Sequence, residues 1–216
     1  MEKKLNALVA GGTGLIGKEL CRVLASDNYY DKVISLVRRK SNQVSGVTEQ
    51  VVNFDTLSNT TIDTKIDVAF CCLGTTMKKA GSKEAFYKVD YEYVEKFAKL
   101  AHALGAEKFI LVSALGADAS SMFYYNRVKG EIENTIKSIP FKSVQIFRPS
   151  LLIGDREEQR IGEDVGKFVT KHLNFLVPKK YKGIEGTQVA KAMAQKGKSN
   201  SDGVLIYESE VIHNIA

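Results

Sequence analysis

Leu5-Asn6-Ala7-Leu8-Val9-Ala10-Gly11-Gly12-Thr13-Gly14-Leu15-Ile16-Gly17 is the stretch that decides the fold. It opens as a short apolar run, and a helical pattern over Ile16–Ala25 begins as soon as the glycines end. The spacing Gly12-x-Gly14-x-x-Gly17 is the dinucleotide fingerprint, and here it stands where the fingerprint needs to stand, between a strand and a helix. One glycine permits a sharp turn, another lets backbone approach a pyrophosphate, and a third lets the helix pack on the strand. The helix N-terminus then offers free N–H groups and a partial positive charge to phosphates. A glycine pattern alone would describe only a tight turn.

The same alternation continues outward. Strand-like runs lie at Asn6–Ala10, Lys32–Val37, Glu49–Phe54, Ile66–Leu73, Lys108–Val112, Ser143–Phe147 and Gly203–Tyr207. Most lack polar alternation, as expected of strands covered on both faces. Between them, Tyr91–Leu104 places Val94, Phe97, Ala98, Ala101 and Leu104 at helical spacing, with Glu92, Glu95, Lys96 and Lys99 largely off that face. Strands alternating with helices predict an α/β doubly wound parallel sheet, a Rossmann fold. The expected organisation is one domain over 1–216, with 155–185 as a small substrate-covering insertion.

Composition agrees with a globular chain. Of 216 residues, 44% are hydrophobic and 26% charged, which excludes disorder, collagen-like repeats and a disulfide scaffold. Lys and Arg number 31 against 25 Asp and Glu, so the chain carries +6. That favours anionic ligands without choosing among nucleic acid, a membrane surface and a phosphorylated cofactor. Cys21, Cys71 and Cys72 lack zinc spacing and read as buried reduced thiols. No apolar run approaches the ~20 residues of a membrane span, and the N-terminus does not read as a secretory signal. A cytoplasmic protein is expected, with no membrane contact.

The choice between NAD and NADP falls near the end of the second strand, where an NAD enzyme places an acidic residue for the ribose hydroxyls. This chain has Val37-Arg38-Arg39-Lys40 there, while Asp27 and Asp31 precede the strand. A guanidinium holds a 2′-phosphate bidentately and stacks on adenine, so Arg38 and Arg39 predict NADP(H) over NAD(H). A charge run is also commonly a solvated loop. Asp55, after the third strand, suits either the adenine amino group or a helix cap.

Further along, Leu111-Val112-Ser113 ends a strand, and Tyr125-Asn126-Arg127-Val128-Lys129 follows twelve residues later. On a helix Tyr125 and Lys129 stand one turn apart on one face, and the ammonium favours the phenolate. Such a tyrosine delivers a proton to a carbonyl oxygen as hydride reaches the carbon. Ser113 is positioned to hydrogen-bond the same oxygen. Tyr124 has Val128 at the fourth position, so only Tyr125 is in register. By itself a Tyr-x-x-x-Lys spacing fits any exposed helix equally well.

Taken together, the glycine loop, Ser113 and Tyr125-x-x-x-Lys129 resemble the short-chain dehydrogenase/reductase superfamily. Cys71–Thr76, Lys88-Val89-Asp90-Tyr91, Tyr125–Glu131, Phe147-Arg148-Pro149 and Gly154-Asp155-Arg156 narrow the resemblance to its atypical branch, that of the Tat-interacting-protein oxidoreductases and their bacterial relatives. The resemblance spans nearly the whole chain. It implies that Gly11, Thr13, Gly14, Leu15, Ile16 and Gly17 line the pyrophosphate and that Arg38 and Arg39 take the adenosine phosphate. It implies that Leu73, Gly74 and Thr75 pass beneath the ribose and pyrophosphate. Lys129 would also reach the nicotinamide ribose, and Pro149, Ser150, Leu151 and Leu152 would approach the nicotinamide.

Two positions depart from the superfamily pattern. Ala114-Leu115-Gly116 follows Ser113 without the second hydroxyl residue many relatives have. Asp90 takes the place of a relay asparagine, so the water chain to Lys129 differs or is absent, although this branch often has Asp there.

The stretch Ile161–Lys182, with Phe168, Val169, His172, Leu173, Phe175, Leu176 and Val177 among lysines, falls where the superfamily covers its substrate. It also suits an amphipathic helix closing the core. The expected function is an NADPH-dependent oxidoreductase acting on a small carbonyl or enone, as a monomer or homodimer. The alternative is an NADP(H)-sensing regulator acting through a protein partner. A nucleic-acid binder lacks any motif and is not expected.

Overall fold

The computed structural model describes residues 4–153 and 182–215. Seven strands form one parallel sheet in the order β3-β2-β1-β4-β5-β6-β9: β1 (Leu5–Ala10), β2 (Tyr30–Val37), β3 (Thr48–Val51), β4 (Val68–Cys71), β5 (Lys108–Val112), β6 (Ser143–Arg148) and β9 (Gly203–Glu208). The remaining two, β7 (Leu152–Ile153) and β8 (Ile184–Glu185), pair in parallel by themselves. The helices are α1 (Leu15–Ser26), α2 (Met77–Ala80), α3 (Lys83–Tyr87), α4 (Tyr93–Ala103), α5 (Tyr124–Ser138), α6 (Gly186–Gly197) and α7 (Ser209–Ile215). A Rossmann-type doubly wound sheet is thus the observed architecture.

The apolar runs read as two-faced strands because each feeds two cores. Leu8, Ala10, Ala69, Cys71, Phe109 and Leu111 pack under α4 and α5, against Val94, Phe97, Ile132 and Ile136. Ala7, Val9, Val68, Phe70, Ile110 and Val112 pack under α1 and α6, against Leu20, Leu24, Val189 and Met193. Successive strand residues point to opposite faces, so one unbroken apolar run serves both layers.

Several boundaries differ from expectation: β2 starts earlier, at Tyr30, β4 starts later, at Val68, and others shift as follows. β3 stops at Val51 because Asn53 turns the chain into a 3₁₀ helix, Phe54–Asn59, its side chain accepting from the Asp55 N–H at 2.9 Å. β4 stops at Cys71, beyond which the chain bends toward α2. The expected helix from Tyr91 begins as α4 at Tyr93, after a π-turn over Lys88–Glu92. The proposed cover, 155–185, lies for the most part outside the described residues, with Gly154-Asp155-Arg156, Phe168 and His172 among those it leaves out.

Strand order reverses between β1 and β4, each with its continuation on its own side. A doubly wound sheet opens a crevice at the carboxyl ends of strands at such a switch point. Candidate residues gather there. All three cysteines are free, with Cys21 and Cys71 buried, and burial pushes their thiols up to about 11 and about 12.

Candidate active site

The glycine loop is shaped by close approaches. Gly11 has φ +84°, and a Cβ there would meet the Cys72 carbonyl at 2.5 Å. At Gly17 a Cβ would lie 2.1 Å from the Gly11 carbonyl oxygen, so α1 and the loop pack only through a bare backbone. Gly14 is the N-cap of α1 and supplies no capping side chain. The first-turn N–H groups therefore face the crevice unclaimed by a cap, a cradle suited to phosphate oxygens.

A cavity of about 450 Å³ opens beside this loop. Of the expected site residues, Gly14, Leu15, Ile16, Leu73, Gly74, Thr75, Ser113, Tyr125, Lys129, Pro149, Leu151 and Leu152 line it. Gly11, Thr13 and Gly17 shape the loop from outside that lining. Arg38 and Arg39 follow β2 on the same edge of the sheet; both are exposed and neither makes a hydrogen bond or ion pair among the described residues. Asp55 also stands apart from the lining. Its Oδ1 lies 2.7 Å from Lys88 Nζ and accepts from the Tyr93 hydroxyl at 3.1 Å, while Asn53 does the capping. The Lys88 bond, then Tyr93's, holds the Asp55 carboxyl below its ordinary value.

Tyr125 and Lys129 share one face of α5 and meet the cavity together. The Tyr125 ring rests 5.6 Å from that of Phe86 and stays 37% exposed, while Tyr124 turns away and donates to the Lys83 carbonyl at 3.0 Å. Lys129 is buried. Its Nζ lies 2.7 Å from Asp90 Oδ1, and Asp90 Oδ2 accepts from the Thr75 N–H at 2.8 Å. Burial works to lower the Lys129 ammonium, but the Asp90 carboxylate and then Tyr125 outweigh it and hold it above the ordinary lysine value.

Ser113 reaches the cavity with its hydrogen already engaged. Its hydroxyl donates to Glu133 Oε1 at 2.6 Å, inside the protein. Glu133 accepts a two-pronged Arg148 contact, Nε at 2.9 Å and Nη2 at 2.6 Å, and Arg148 Nη1 reaches Glu208 at 3.0 Å. A carboxylate so held only accepts, so Ser113 presents lone pairs to the cavity. Sequence reasoning missed Glu133, whose signal was its place one turn beyond Lys129 on the same helix face. It also missed Thr76, Met77 and Leu115 in the lining, which belong to loops and short helices without periodic pattern.

A glycine cradle at the switch point, an uncapped helix N-terminus and a tyrosine–lysine face thus meet at one crevice. The chain belongs to the NAD dependent epimerase/dehydratase family, which it matches over residues 7–170, and within it to the atypical short-chain dehydrogenase/reductase branch. It is 40% identical over 163 residues to the protein HTATIP2 of Rattus norvegicus, covering 73% of this chain and 67% of that one. With the mitochondrial protein FMP52 of Eremothecium gossypii it shares 35% over 198 residues, covering 88% of each. The fold is similar to that of a UDP-N-acetylglucosamine 4-epimerase from Methanobrevibacter ruminantium, at a TM-score of 0.69 and 17% identity, over 96% of this chain and 77% of that one. The Bordetella bronchiseptica enzyme WbmH in complex with NAD+ gives 0.70 at 13%, over 95% and 75%. Family membership supports a nicotinamide cofactor, and the bare cradle fits one.

The cytoplasmic expectation is corrected by these relatives. Several at 32–36% identity are named as mitochondrial proteins. The lack of a secretory pattern carries no information about that compartment. No helix among the described residues is long and apolar enough to cross a membrane.

Proposed function

We propose that the protein is an NADPH-dependent oxidoreductase that transfers hydride between the nicotinamide and a small carbonyl or enone substrate. The observation that carries this reading is that Tyr125 and Lys129 open into the same cavity as the glycine loop. When bound, the reduced nicotinamide supplies the hydride.

The protein's part is to hold the carbonyl and supply a proton. Tyr125 keeps its hydroxyl accessible at the cavity wall and donates its proton to the substrate oxygen, becoming a phenolate that solvent later reprotonates. The Lys129 ammonium stabilises that phenolate. Ser113, its hydrogen spent on Glu133, accepts rather than donates, so Tyr125 is the donor on which the substrate oxygen depends. Leu15, Leu73, Leu115 and Leu151 give the cavity apolar walls that suit a hydrophobic carbonyl.

NADPH preference rests on Arg38 and Arg39, whose exposed guanidinium groups have no partner among the described residues and suit a 2′-phosphate. Fluorescence titration with NADPH and with NADH tests it. The expected result is tighter NADPH binding, reduced about tenfold or more by Arg38→Ala/Arg39→Ala with NADH binding nearly unchanged. A clear preference for NADH, or no effect of the double variant, contradicts the assignment.

A further inference from the structure

The cavity wall carries a serine oxygen with lone pairs to offer and no hydrogen to give. Ser113 follows β5 directly, is 5% exposed and lines the cavity. Its hydroxyl donates to Glu133 Oε1 at 2.6 Å, and no donor among the described residues reaches its Oγ in return.

The direction of that bond is set from behind. Glu133 Oε1 also accepts from Arg148 Nε at 2.9 Å, and Oε2 accepts from Nη2 at 2.6 Å. Lys137 Nζ stands 3.7 Å from Oε2, and Arg148 Nη1 is anchored on Glu208 at 3.0 Å. A carboxylate has acceptors only, so the hydrogen between Ser113 and Glu133 belongs to the serine. Turning it toward the cavity would leave a buried carboxylate short of a donor, which costs more than one new hydrogen bond returns. The lone pairs of a nearly buried oxygen thus face the cavity unfilled, and a ligand's O–H or N–H fills them.

Tyr125 lines the same cavity, and a volume of about 450 Å³ keeps both contacts on one small molecule. The ligand's donor is neutral, because the Lys129 ammonium lines that cavity too and repels a cationic amine. A hydroxyl is the smallest neutral donor, and the smallest molecule with both groups carries them on adjacent carbons. We propose that the substrate is an α-hydroxy ketone or aldehyde, its carbonyl oxygen held by Tyr125 and its neighbouring hydroxyl donating to Ser113. As regards turnover this rests on the reductase reading, which it narrows. The new C–H bond takes the hydride of NADPH, which becomes NADP+, while the carbonyl π pair takes the Tyr125 proton. The product is a vicinal diol, and the hydroxyl that donates to Ser113 is unchanged.

The test compares α-hydroxyacetophenone with two ketones that lack the donor. Propiophenone replaces the hydroxyl by a methyl group, and α-methoxyacetophenone keeps the electron-withdrawing oxygen without its hydrogen. With NADPH, wild-type kcat/KM for the hydroxy ketone is expected to exceed that for either control about tenfold. Ser113→Ala is expected to erase that preference, the loss falling on KM more than on kcat because the contact precedes the reaction. Ser113→Thr, which keeps a hydroxyl, restores part of it. Equal wild-type values for the three ketones, or a preference that survives Ser113→Ala, overturns the proposal.

Binding separates this proposal from the reductase reading. In the Tyr125→Phe protein loaded with NADPH, fluorescence titration is expected to show the hydroxy ketone bound about tenfold more tightly than propiophenone. Adding Ser113→Ala is expected to remove the difference. That binding preference, in a protein whose wild type turns over none of the three ketones, removes the reductase reading and leaves the Ser113 contact. Turnover of all three with no preference in rate or binding removes only the α-hydroxy assignment. Should Ser113→Ala fail to fold, the wild-type comparison decides, and a protein that binds none of the three overturns the proposal.

Discussion

Glu133 shows how much of the site depends on a single buried charge. It is 1% exposed, accepts the Ser113 hydroxyl and is held by the Arg148 guanidinium. Removing one partner of such a pair leaves the other uncompensated, so Glu133→Ala is expected to cost about 3–5 kcal/mol in urea unfolding. Unfolding at the wild-type midpoint contradicts this. The same geometry sets an expectation for Ser113→Ala. Loss of an oxyanion donor ordinarily lowers kcat by ~10²–10³, and Ser113, which donates elsewhere, is expected to lower it by less than about tenfold. Steady-state kinetics decide, and a full donor-sized loss would mean that the hydroxyl turns toward the substrate during reaction. The tyrosine–lysine pair was legible because helical spacing alone puts both on one face. Glu133 and Arg148 come from separate elements, and nothing in the spacing joins them. Asp90 was legible as an unusual residue, but its contact with Lys129 depends on a π-turn that has no sequence signature.

At the scale of elements, the glycine loop was read correctly as a strand-to-helix connection, and its close contacts explain why. Gly17→Ala would drive a methyl group into the Gly11 carbonyl at 2.1 Å, so the loop must shift. NADPH affinity is expected to fall at least about tenfold while the helical circular dichroism signal is kept, because the neighbouring core is untouched. Unaltered affinity would show that the loop does not hold the pyrophosphate. The central strands were legible for the same reason, since a continuous apolar run has no other use than burial on both faces. The 3₁₀ helix at Phe54 was not, because one Asn53 hydrogen bond ends a run that otherwise looks like strand. The β7–β8 pair is two residues long and joins distant segments, which no local pattern announces.

At the scale of the whole molecule, the +6 charge was a weak guide. The NADPH proposal gives it a purpose at the exposed Arg38 and Arg39 that follow β2, while among the described residues eight other cations pair with carboxylates within the fold. One such pair, Lys198 with Asp27, ties the end of α1 to the chain after α6. Burial acts to raise Asp27, but its bond to Lys198 and the Tyr29 N–H bring it below the ordinary value. A lowered carboxylate stabilises the fold above its unfolded value and loses that contribution as pH falls through the folded one. Lys129, raised, contributes fully below its unfolded value of about 10.4 and loses that contribution as pH climbs through its higher folded value. The melting temperature is therefore expected to decline below about pH 4 and again in strongly alkaline solution. Lys198→Met should flatten the acid limb, and an unchanged limb would assign it to other carboxylates.

The central claim is that Tyr125 is the proton donor of an NADPH-dependent reductase, and Tyr125→Phe tests it most directly. The ring and its contact with Phe86 are kept and only the hydroxyl is lost. Turnover of a carbonyl compound should fall by ~10²–10⁴, with NADPH affinity by fluorescence titration staying within about twofold of wild type. A Tyr125→Phe protein that retains full turnover would contradict the account.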